Sequence, residues 1–310
     1  MTAAVRAAAS LAALALLGAG AAAQAAPAPP AAPAPVILLQ SDFGLQDGAI
    51  AALKGVAYTV SPSIRVEDLT QLIPPFDILD AAYRLRQVAP FWPAGTVFAS
   101  IVDPGVGTKR LSVVMRTKTG QYFVTPDNGT LTFVAELLGV DEVREIDEST
   151  NRRPGSEWSA TFHGRDVYMY TAARLAAGVI TFEQVGPSRG VSYVALPVPA
   201  PQLSSRSVTG TIIALDQPYG NLWTNIDTMS VHTLGIKPGD RVRVRIMKGT
   251  AAVWSDIVPL ERTFGDVPLS KPLLYVNSLD RLALALNEGN FAKRYSIGSG
   301  TEWTLEIVKP

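Results

Sequence analysis

The stretch Val97-Phe-Ala-Ser-Ile-Val-Asp103-Pro-Gly-Val-Gly-Thr-Lys-Arg110 predicts a buried strand that ends on a carboxylate. A proline and two glycines then force a tight turn, which returns Arg110 beside Asp103. Open α/β sheets bind their ligands at the carboxyl ends of the strands. His163 is one of only two histidines, and an acid, a guanidinium and an imidazole brought together could orient and polarise a water. The alternative at this point is a structural Asp–Arg pair at a strand end.

Alternating apolar and amphipathic segments predict an α/β domain over residues 36–198 with a mostly parallel central sheet. The first strand, Val36–Gln40, is almost wholly apolar, which is typical of a parallel strand covered on both faces. The sequence contains no G-x-G-x-x-G and no P-loop, so neither a standard dinucleotide site nor a phosphate cradle is supported. Further predicted elements are strands at Ile64–Leu69 and Glu142–Ile146, a hairpin of Leu111–Thr117 with Gln121–Thr125, and helices at Asp47–Val60, Asp77–Val88, Thr130–Leu138 and Asp166–Ala177.

A proline-rich segment, Leu196–Pro201, is the predicted boundary to a second domain over residues 206–310. Short strands follow it, separated by turns such as Lys237–Asp240, and this pattern predicts a small antiparallel β-barrel or sandwich. The predicted strands are Val208–Leu215, Arg241–Ile246 with strict alternation, Leu273–Val276, Arg281–Leu286 and Thr304–Val308.

Composition excludes several classes of function. Hydrophobic residues make up 47% of the 310 residues and charged residues 17%, which is enough apolar material for a sizeable core. Lysine and arginine together number 27, as do aspartate and glutamate, so no charge excess points to nucleic acid or to an anionic membrane surface as a partner. The chain has no cysteine, which excludes disulfides, thiolate metal sites and cysteine nucleophiles.

The first 25 residues have the pattern of a secretory signal peptide. Arg6 precedes a short apolar run, Ala7–Leu17, and Ala23-Gln24-Ala25 supplies small residues at a cleavage position. An alanine and proline linker over residues 26–35 follows. We therefore expect a periplasmic or secreted protein with no membrane partner after cleavage; an uncleaved anchor and a disordered leader are the alternatives.

Six motifs stand in order along the chain: Ser41–Gly44, Asp103–Thr108 with Arg110, Pro126–Gly129, Thr161–Asp166, Asp216–Asn225 and Asn277-Ser278. Through them the sequence from Val36 to Pro310 resembles the S-adenosyl-L-methionine (SAM) hydroxide adenosyltransferases. These adenosine-forming SAM hydrolases are related to the SAM-dependent fluorinase and chlorinase. The resemblance implies an α/β domain followed by a β-barrel domain.

The resemblance implies that water or hydroxide attacks C5′ of the SAM ribose in line, giving adenosine and L-methionine. Asp103, Arg110 and His163 match the family's hydrolytic trio, which positions and activates the water. Two proton acceptors stay open: a neutral histidine, whose unperturbed pKa is about 6.5, and the Asp103–Arg110 pair. The resemblance implies no metal and no cofactor, with SAM as substrate, and a homotrimer whose sites lie between subunits.

The resemblance also assigns substrate-binding roles. Asp42 matches the carboxylate that grips the ribose hydroxyls, Phe76 and Phe264 fall where relatives sandwich the adenine, and Asn221 suits an adenine edge. Asp216 would bind the methionine ammonium and Ser278 the methionine carboxylate region. Taken without the family, Asp42 is a helix N-cap, the two phenylalanines belong to the core, and Asp166 caps the helix that it precedes.

Three departures separate this chain from the halogenating relatives. Those enzymes carry Tyr-Ser where this chain has His163-Gly164, and they tend to have arginines where it has Leu279 and Leu286. They also lack the carboxylate of Asp103, whose fixed negative charge should repel a halide. Two rivals remain: a halogenase or other nucleophilic adenosyltransferase, and a non-catalytic periplasmic protein that binds SAM or adenosine.

Overall fold

A six-stranded sheet forms the N-terminal part of the computed structural model, which describes residues 35–309. Its strand order is β2-β1-β3-β5-β4-β6, and the three pairings that involve β1 or β3 are parallel. The β4–β5 hairpin and β6 are antiparallel, so the sheet is mostly parallel as predicted. Its strands are β1 (Val36–Ser41), β2 (Arg65–Thr70), β3 (Val97–Ile101), β4 (Ser112–Thr117), β5 (Tyr122–Pro126) and β6 (Val140–Glu145).

Helices cover both faces of this sheet. In β1, Ile37 and Leu39 pack into the cluster that contains α1 and α5, whereas Leu38 packs on the opposite face with α2 and α3. Because both faces are covered, every residue of β3 is buried, which explains its continuous apolar sequence. The helices are α1 (Ala49–Val60), α2 (Ile78–Val88), α3 (Thr132–Leu138), α4 (Glu148–Asn151) and α5 (Tyr170–Ala176), which continues a π-helical turn (Gly164–Met169).

An antiparallel, nearly closed barrel-like sheet forms the C-terminal part, and the predicted fold class is confirmed. Its order is β11-β10-β14-β8-β9-β13-β12, and a bridge between Leu260 and Leu274 links the two ends of this order. The short β7 (Gln202–Leu203) pairs with β8, and α6 (Thr228–Thr233) and α7 (Phe291–Tyr295) lie between strands. The main strands are β8 (Ser207–Asp216), β9 (Asn221–Asp227), β10 (Arg241–Lys248), β11 (Ala251–Pro259), β12 (Pro272–Val276), β13 (Arg281–Leu286) and β14 (Trp303–Val308).

Two main strands of the barrel, and the two-residue β7, were not predicted from the sequence. β11 (Ala251–Pro259) lies at the end of the strand order with most of its side chains exposed, so it lacks the alternation that identified β10. β9 (Asn221–Asp227) falls inside the Asp216–Asn225 motif, where the resemblance assigns binding roles to Asp216 and Asn221. β11 forms a strand because it pairs with its hairpin partner β10. β9 does so because it pairs with its hairpin partner β8 and with the more distant β13.

Helix α2 joins the two sheets. Arg84 donates a hydrogen bond of 2.8 Å to the carbonyl oxygen of Leu215 in β8, and Tyr83 packs against Trp223 with ring centroids 5.9 Å apart. Side chains of α2 therefore belong to a buried cluster that includes strands of the barrel. The predicted boundaries at residues 198 and 206 remain predictions.

The predicted signal peptide and the linker up to residue 34 lie outside the described residues. Within residues 35–309, none of the helices combines the length and the apolar composition that crossing a membrane would require.

Candidate functional site

The carboxylate of Asp103 follows β3 directly and is held by Arg110 through two hydrogen bonds. Arg110 Nε donates to Asp103 Oδ1 at 2.8 Å, and Arg110 Nη2 donates to Oδ2. Both side chains are about nine-tenths buried. Burial is the largest single influence and would lower the pKa of Arg110, but the hydrogen bonds to Asp103 together with the charge interactions with Tyr168, Asp103 and Glu148 leave that pKa raised. The turn after β3 therefore produces a fixed, bidentate ion pair.

His163 completes this cluster at the start of the π-helical turn. Its Nδ1 lies 3.0 Å from Arg110 Nη2, and because a guanidinium can only donate, Nδ1 must be the acceptor. Burial is the largest influence on the pKa of His163 and lowers it below 6.5; Glu148 opposes this shift and Arg110 adds to it. The ring is therefore neutral at neutral pH, with its proton on Nε2.

Three further side chains support the trio. Tyr168 donates its hydroxyl to Asp103 Oδ2 at 3.3 Å, and burial raises the pKa of this phenol so that it stays protonated. Ser112 Oγ accepts a hydrogen bond of 3.1 Å from Arg110 Nη1. Glu148 Oε1 lies 3.9 Å from His163 Nδ1. Sequence reasoning missed all three.

The π-helical turn explains why Tyr168 was missed. Tyr168 follows His163 by five residues, a spacing that puts two side chains on different faces of an α-helix. In a π-helical turn the hydrogen bonds run from i to i+5, so this spacing brings both residues to one side. Both side chains then reach the Asp103–Arg110 pair.

A pocket of about 300 Å³, here called the α/β pocket, opens beside the trio. Asp42 lies in its wall and accepts a hydrogen bond of 2.9 Å from the backbone N–H of Phe76, which has a left-handed φ of 68°. Asp42 is therefore not an N-cap, and Phe76 is 70% exposed rather than part of the core. The lining residues are Asp42, Phe43, Pro75, Phe76, Ile101, Asp103, Val106, Thr161, Phe162, His163 and Gly164.

A second pocket of about 770 Å³, here called the barrel pocket, contains three of the remaining predicted residues. Asn221 donates a hydrogen bond of 3.0 Å to Asp216 Oδ2. Burial raises the pKa of Asp216, with Asn221 opposing the shift. Phe264 is partly exposed and packs on Tyr275 with ring centroids 4.9 Å apart. The lining residues are Asp216, Pro218, Tyr219, Asn221, Phe264, Gly265, Leu286, Asn287, Glu288, Gly289 and Asn290.

The predicted residues thus divide into two groups within one chain, because no residue lines both pockets. Phe76 lies in the α/β pocket and Phe264 in the barrel pocket. Ser278 lies on an exposed turn after β12 and lines neither pocket. Leu286 lines the barrel pocket, whereas Leu279 packs at the edge of the cluster that joins the two sheets. The roles assigned to these residues remain predictions.

Asp166 differs from its predicted role as a helix cap. Its side chain is fully buried inside the π-helical turn and contacts both Arg153 and Arg165 at 2.7 Å. Burial would raise the pKa of Asp166, but the hydrogen bonds and the positive charges of the two arginines together outweigh burial and leave that pKa lowered. The N-cap position belongs to His163, and the Asp166 carboxylate in the first turn binds two guanidiniums instead of capping the helix.

Across residues 35–309, no three His, Asp or Glu side chains are grouped so that they could hold a metal ion. The polar side chains that line the α/β pocket are instead the carboxylates of Asp42 and Asp103, the neutral imidazole of His163 and the hydroxyl of Thr161. Arg110 contacts Asp103 and His163 from outside the lining. Such a set can bind hydroxyl groups and can orient a water molecule.

Comparisons with known proteins agree with this geometry. The SAM hydroxide adenosyltransferase N-terminal domain matches residues 37–186, and the C-terminal domain of the same family matches residues 210–304. An (R)-S-adenosyl-L-methionine hydrolase of Salinispora tropica is 36% identical over 270 residues, which cover 86% of this chain and 95% of the relative. A fluorinase of Actinoplanes sp. is 31% identical over 298 residues, which cover 87% of this chain and 97% of the relative.

A solved structure shows the same fold. The crystal structure of an uncharacterized conserved protein from Thermotoga maritima matches with a TM-score of 0.79 and 34% identity, covering 88% of this chain and 100% of that chain. The sequence motifs, the two sheets and both family domains agree, and the chain belongs to the SAM hydroxide adenosyltransferase family.

Proposed function

We propose that this protein hydrolyses SAM to adenosine and L-methionine. A water oxygen forms a bond to ribose C5′, the bond from C5′ to sulfur breaks, and its electron pair leaves with the neutral thioether of methionine. The water loses one proton. The observation that carries the proposal is the contact of Arg110 with both Asp103 and His163 at the wall of one pocket.

The hydrogen-bond count on Asp103 supports a role in taking that proton. An ionised carboxylate has about four acceptor positions. Arg110 occupies one on each oxygen and Tyr168 occupies a second on Oδ2, which leaves one position on Oδ1. In the proposed mechanism a water donates to this position, and the Nε2–H of His163 donates to the same water. The neutral state of His163 means that the imidazole adds no second positive charge to that of Arg110.

The lack of space for a side chain at position 164 favours hydrolysis over halogenation. A Cβ at this position would lie 2.8 Å from Ile101 Cγ2, closer than real Cβ contacts, and Phe43 would be 3.4 Å away. Ile101 belongs to the buried strand β3, so it has little freedom to move. The serine that halogenating relatives have here would not fit, and the carboxylate of Asp103 lines the same pocket.

We further propose that the complete site lies between subunits of a homotrimer. The ribose and the water would bind in the α/β pocket of one chain, and the adenine and methionine ammonium in the barrel pocket of the next. The support is the division of the predicted residues between two pockets that share no lining residue. Closed rings with this kind of head-to-tail contact are a regular form of homo-oligomer.

The proposed reaction needs no metal and no redox cofactor, since a sulfonium is already an activated leaving group. From the predicted signal peptide we propose that the protein acts in the periplasm or outside the cell. N-terminal sequencing of protein from the extracytoplasmic fraction would show a start after residue 25 if the proposal is correct.

The two histidines provide the test of hydrolysis. Purified protein is incubated with SAM, with and without fluoride or chloride, and nucleosides are separated by chromatography. We expect adenosine and no 5′-halo-adenosine, and we expect His163→Ala to lower the rate by about 100-fold or more. His232→Ala is the matched control, because His232 is exposed on α6 outside both pockets.

Equal rates for His163→Ala and the wild type would contradict the mechanism and favour a binding protein without turnover. Formation of 5′-halo-adenosine at a rate above that of adenosine would favour the halogenase instead.

A further inference from the structure

A groove of about 670 Å³ lies between α1 and the helix formed by the π-helical turn and α5. The charged side chains that line it are all arginines: Arg153, Arg165 and Arg174. No carboxylate belongs to the lining, and no lining residue is shared with the α/β pocket or the barrel pocket. We call this feature the arginine groove. The lining residues are Ala52, Gly55, Val56, Thr59, Val60, Arg153, Pro154, Arg165, Tyr170, Arg174 and Val179.

The charges of the groove are not balanced. Asp166 pairs with both Arg153 and Arg165 at 2.7 Å, so one carboxylate serves two guanidiniums. Arg174 forms no ion pair among residues 35–309 and donates instead to the uncharged Thr150 carbonyl oxygen and Asn151 Oδ1, both at 2.7 Å. Around one concave surface, the three guanidiniums therefore have only one ion-paired carboxylate among residues 35–309.

The three guanidiniums are also held in place before any ligand arrives. Asp166 is fully buried and fixes two of them, while the side chains of Arg153 and Arg165 remain 34% and 29% exposed. Arg165 also lies over the ring of Phe162 at 4.8 Å, and Arg174 over the ring of Tyr170 at 5.4 Å. Each arginine keeps donors unused by these contacts, because a guanidinium has five N–H groups.

We propose that the arginine groove binds the phosphate group of a small phosphorylated molecule. Planar guanidiniums match phosphate oxygens in pairs, and several fixed guanidiniums without a lining carboxylate favour a doubly charged oxyanion over a carboxylate. The wall supplied by Val56, Val60 and Val179 is apolar and leaves room beside the phosphate for an organic group. This proposal does not rest on the proposed SAM hydrolysis.

Gly55 offers a direct test because it lines the groove and leaves the arginines untouched. It lies on an exposed face of α1, and a Cβ there would meet no atom within 4 Å. Gly55→Glu places a carboxylate among the guanidiniums, and Gly55→Gln is the matched control with the same shape and no charge. Both replace a helix-interior glycine by a better helix former, so both variants should fold.

The measurement is isothermal titration calorimetry of the full-length protein with inorganic phosphate and with glycerol 3-phosphate. Nucleotides and ribose phosphates are avoided, because the base or the sugar could enter the candidate active site. We expect saturable binding to the wild type and to Gly55→Gln, and binding weaker by about tenfold or more in Gly55→Glu, as expected when charged hydrogen bonds are lost. Tighter binding of glycerol 3-phosphate than of phosphate would identify an organic phosphate as the ligand; equal binding would identify free phosphate.

Three results would overturn the proposal. The first is no saturable binding of either anion up to about 10 mM, a range that covers weak sites. The second is equal affinity in Gly55→Glu and Gly55→Gln, which would place the anion elsewhere. The third is full displacement of phosphate by chloride at matched ionic strength, which would show general charge attraction without a built site. None of these outcomes depends on SAM turnover.

Discussion

The α/β pocket and the barrel pocket differ in how their polar groups are held. Beside the α/β pocket, the guanidinium of Arg110 contacts Asp103 and Ser112, which are close to it in the chain, and also His163, which lies 53 residues further on. In the barrel pocket, the carboxylate of Asp216 is held by Asn221, only five residues further along a hairpin. The first pocket has about 300 Å³ and the second about 770 Å³.

This difference suggests that the α/β pocket positions the reacting groups and that the barrel pocket binds the rest of the substrate. A water that must attack in line needs partners fixed to within a fraction of an ångström, and cross-linked side chains provide this. A base and an amino acid that need only be bound tolerate a wider, loop-lined surface with exposed rings such as Phe264. We therefore expect substitutions in the two pockets to change different kinetic constants.

The largest expected effect comes from Asp103→Asn, with Asp216→Asn as its counterpart. Asp103→Asn removes the proposed proton acceptor and should lower kcat by about 10²–10⁴-fold. Asp216→Asn removes only an attraction for the ammonium group, so it should raise KM by about tenfold and leave kcat nearly unchanged. Steady-state kinetics with circular dichroism as a folding control measures both. A fall in kcat of similar size in both variants would contradict the proposed difference between the two pockets.

The next prediction, with an expected effect of intermediate size, concerns the activity of a mixture of Asp103→Asn and Asp216→Asn chains. If each site combines the α/β pocket of one chain with the barrel pocket of the next, an equal mixture of Asp103→Asn and Asp216→Asn chains contains intact sites. After subunit exchange about a quarter of the sites should have wild-type KM. The assay uses SAM well below the KM of Asp216→Asn. Activity equal to the mean of the separate variants would place each site within a single chain.

The smallest expected effect is a shift in the pH profile from Glu148→Gln. His163 has a pKa below 6.5, so activity should be full above this value and fall as pH drops through the lowered pKa. Glu148 raises the pKa of His163, so removing its charge should lower that pKa further and move the acidic limb of kcat/KM to lower pH.

The matched control for the pH experiment is Glu183→Gln. This variant removes an exposed charge that pairs with Arg116, and Glu183 forms no ion pair with His163. A shift of the limb to higher pH in Glu148→Gln, or an equal shift in the control, would contradict the assignment of the limb to His163.

Local sequence patterns predicted most of the α/β part. The apolar run of β3 and the alternation of β10 each report which faces are covered, and both strands were found where expected. The pattern failed at β11, because an edge strand with exposed side chains carries no burial signal. The candidate trio was named from motifs, whereas Tyr168 was missed because its five-residue spacing from His163 has meaning only in a π-helical turn.

By itself, the sequence determined the fold class, the family and the acid that ends β3, because periodicity, turn residues and ordered motifs are local properties of a chain. Only the tertiary structure decided that Nδ1 of His163 accepts from Arg110, that Asp166 anchors two arginines, and that the predicted residues divide between two pockets. Such facts depend on distances between residues far apart in the chain, and those distances are fixed only when the sheets and helices pack.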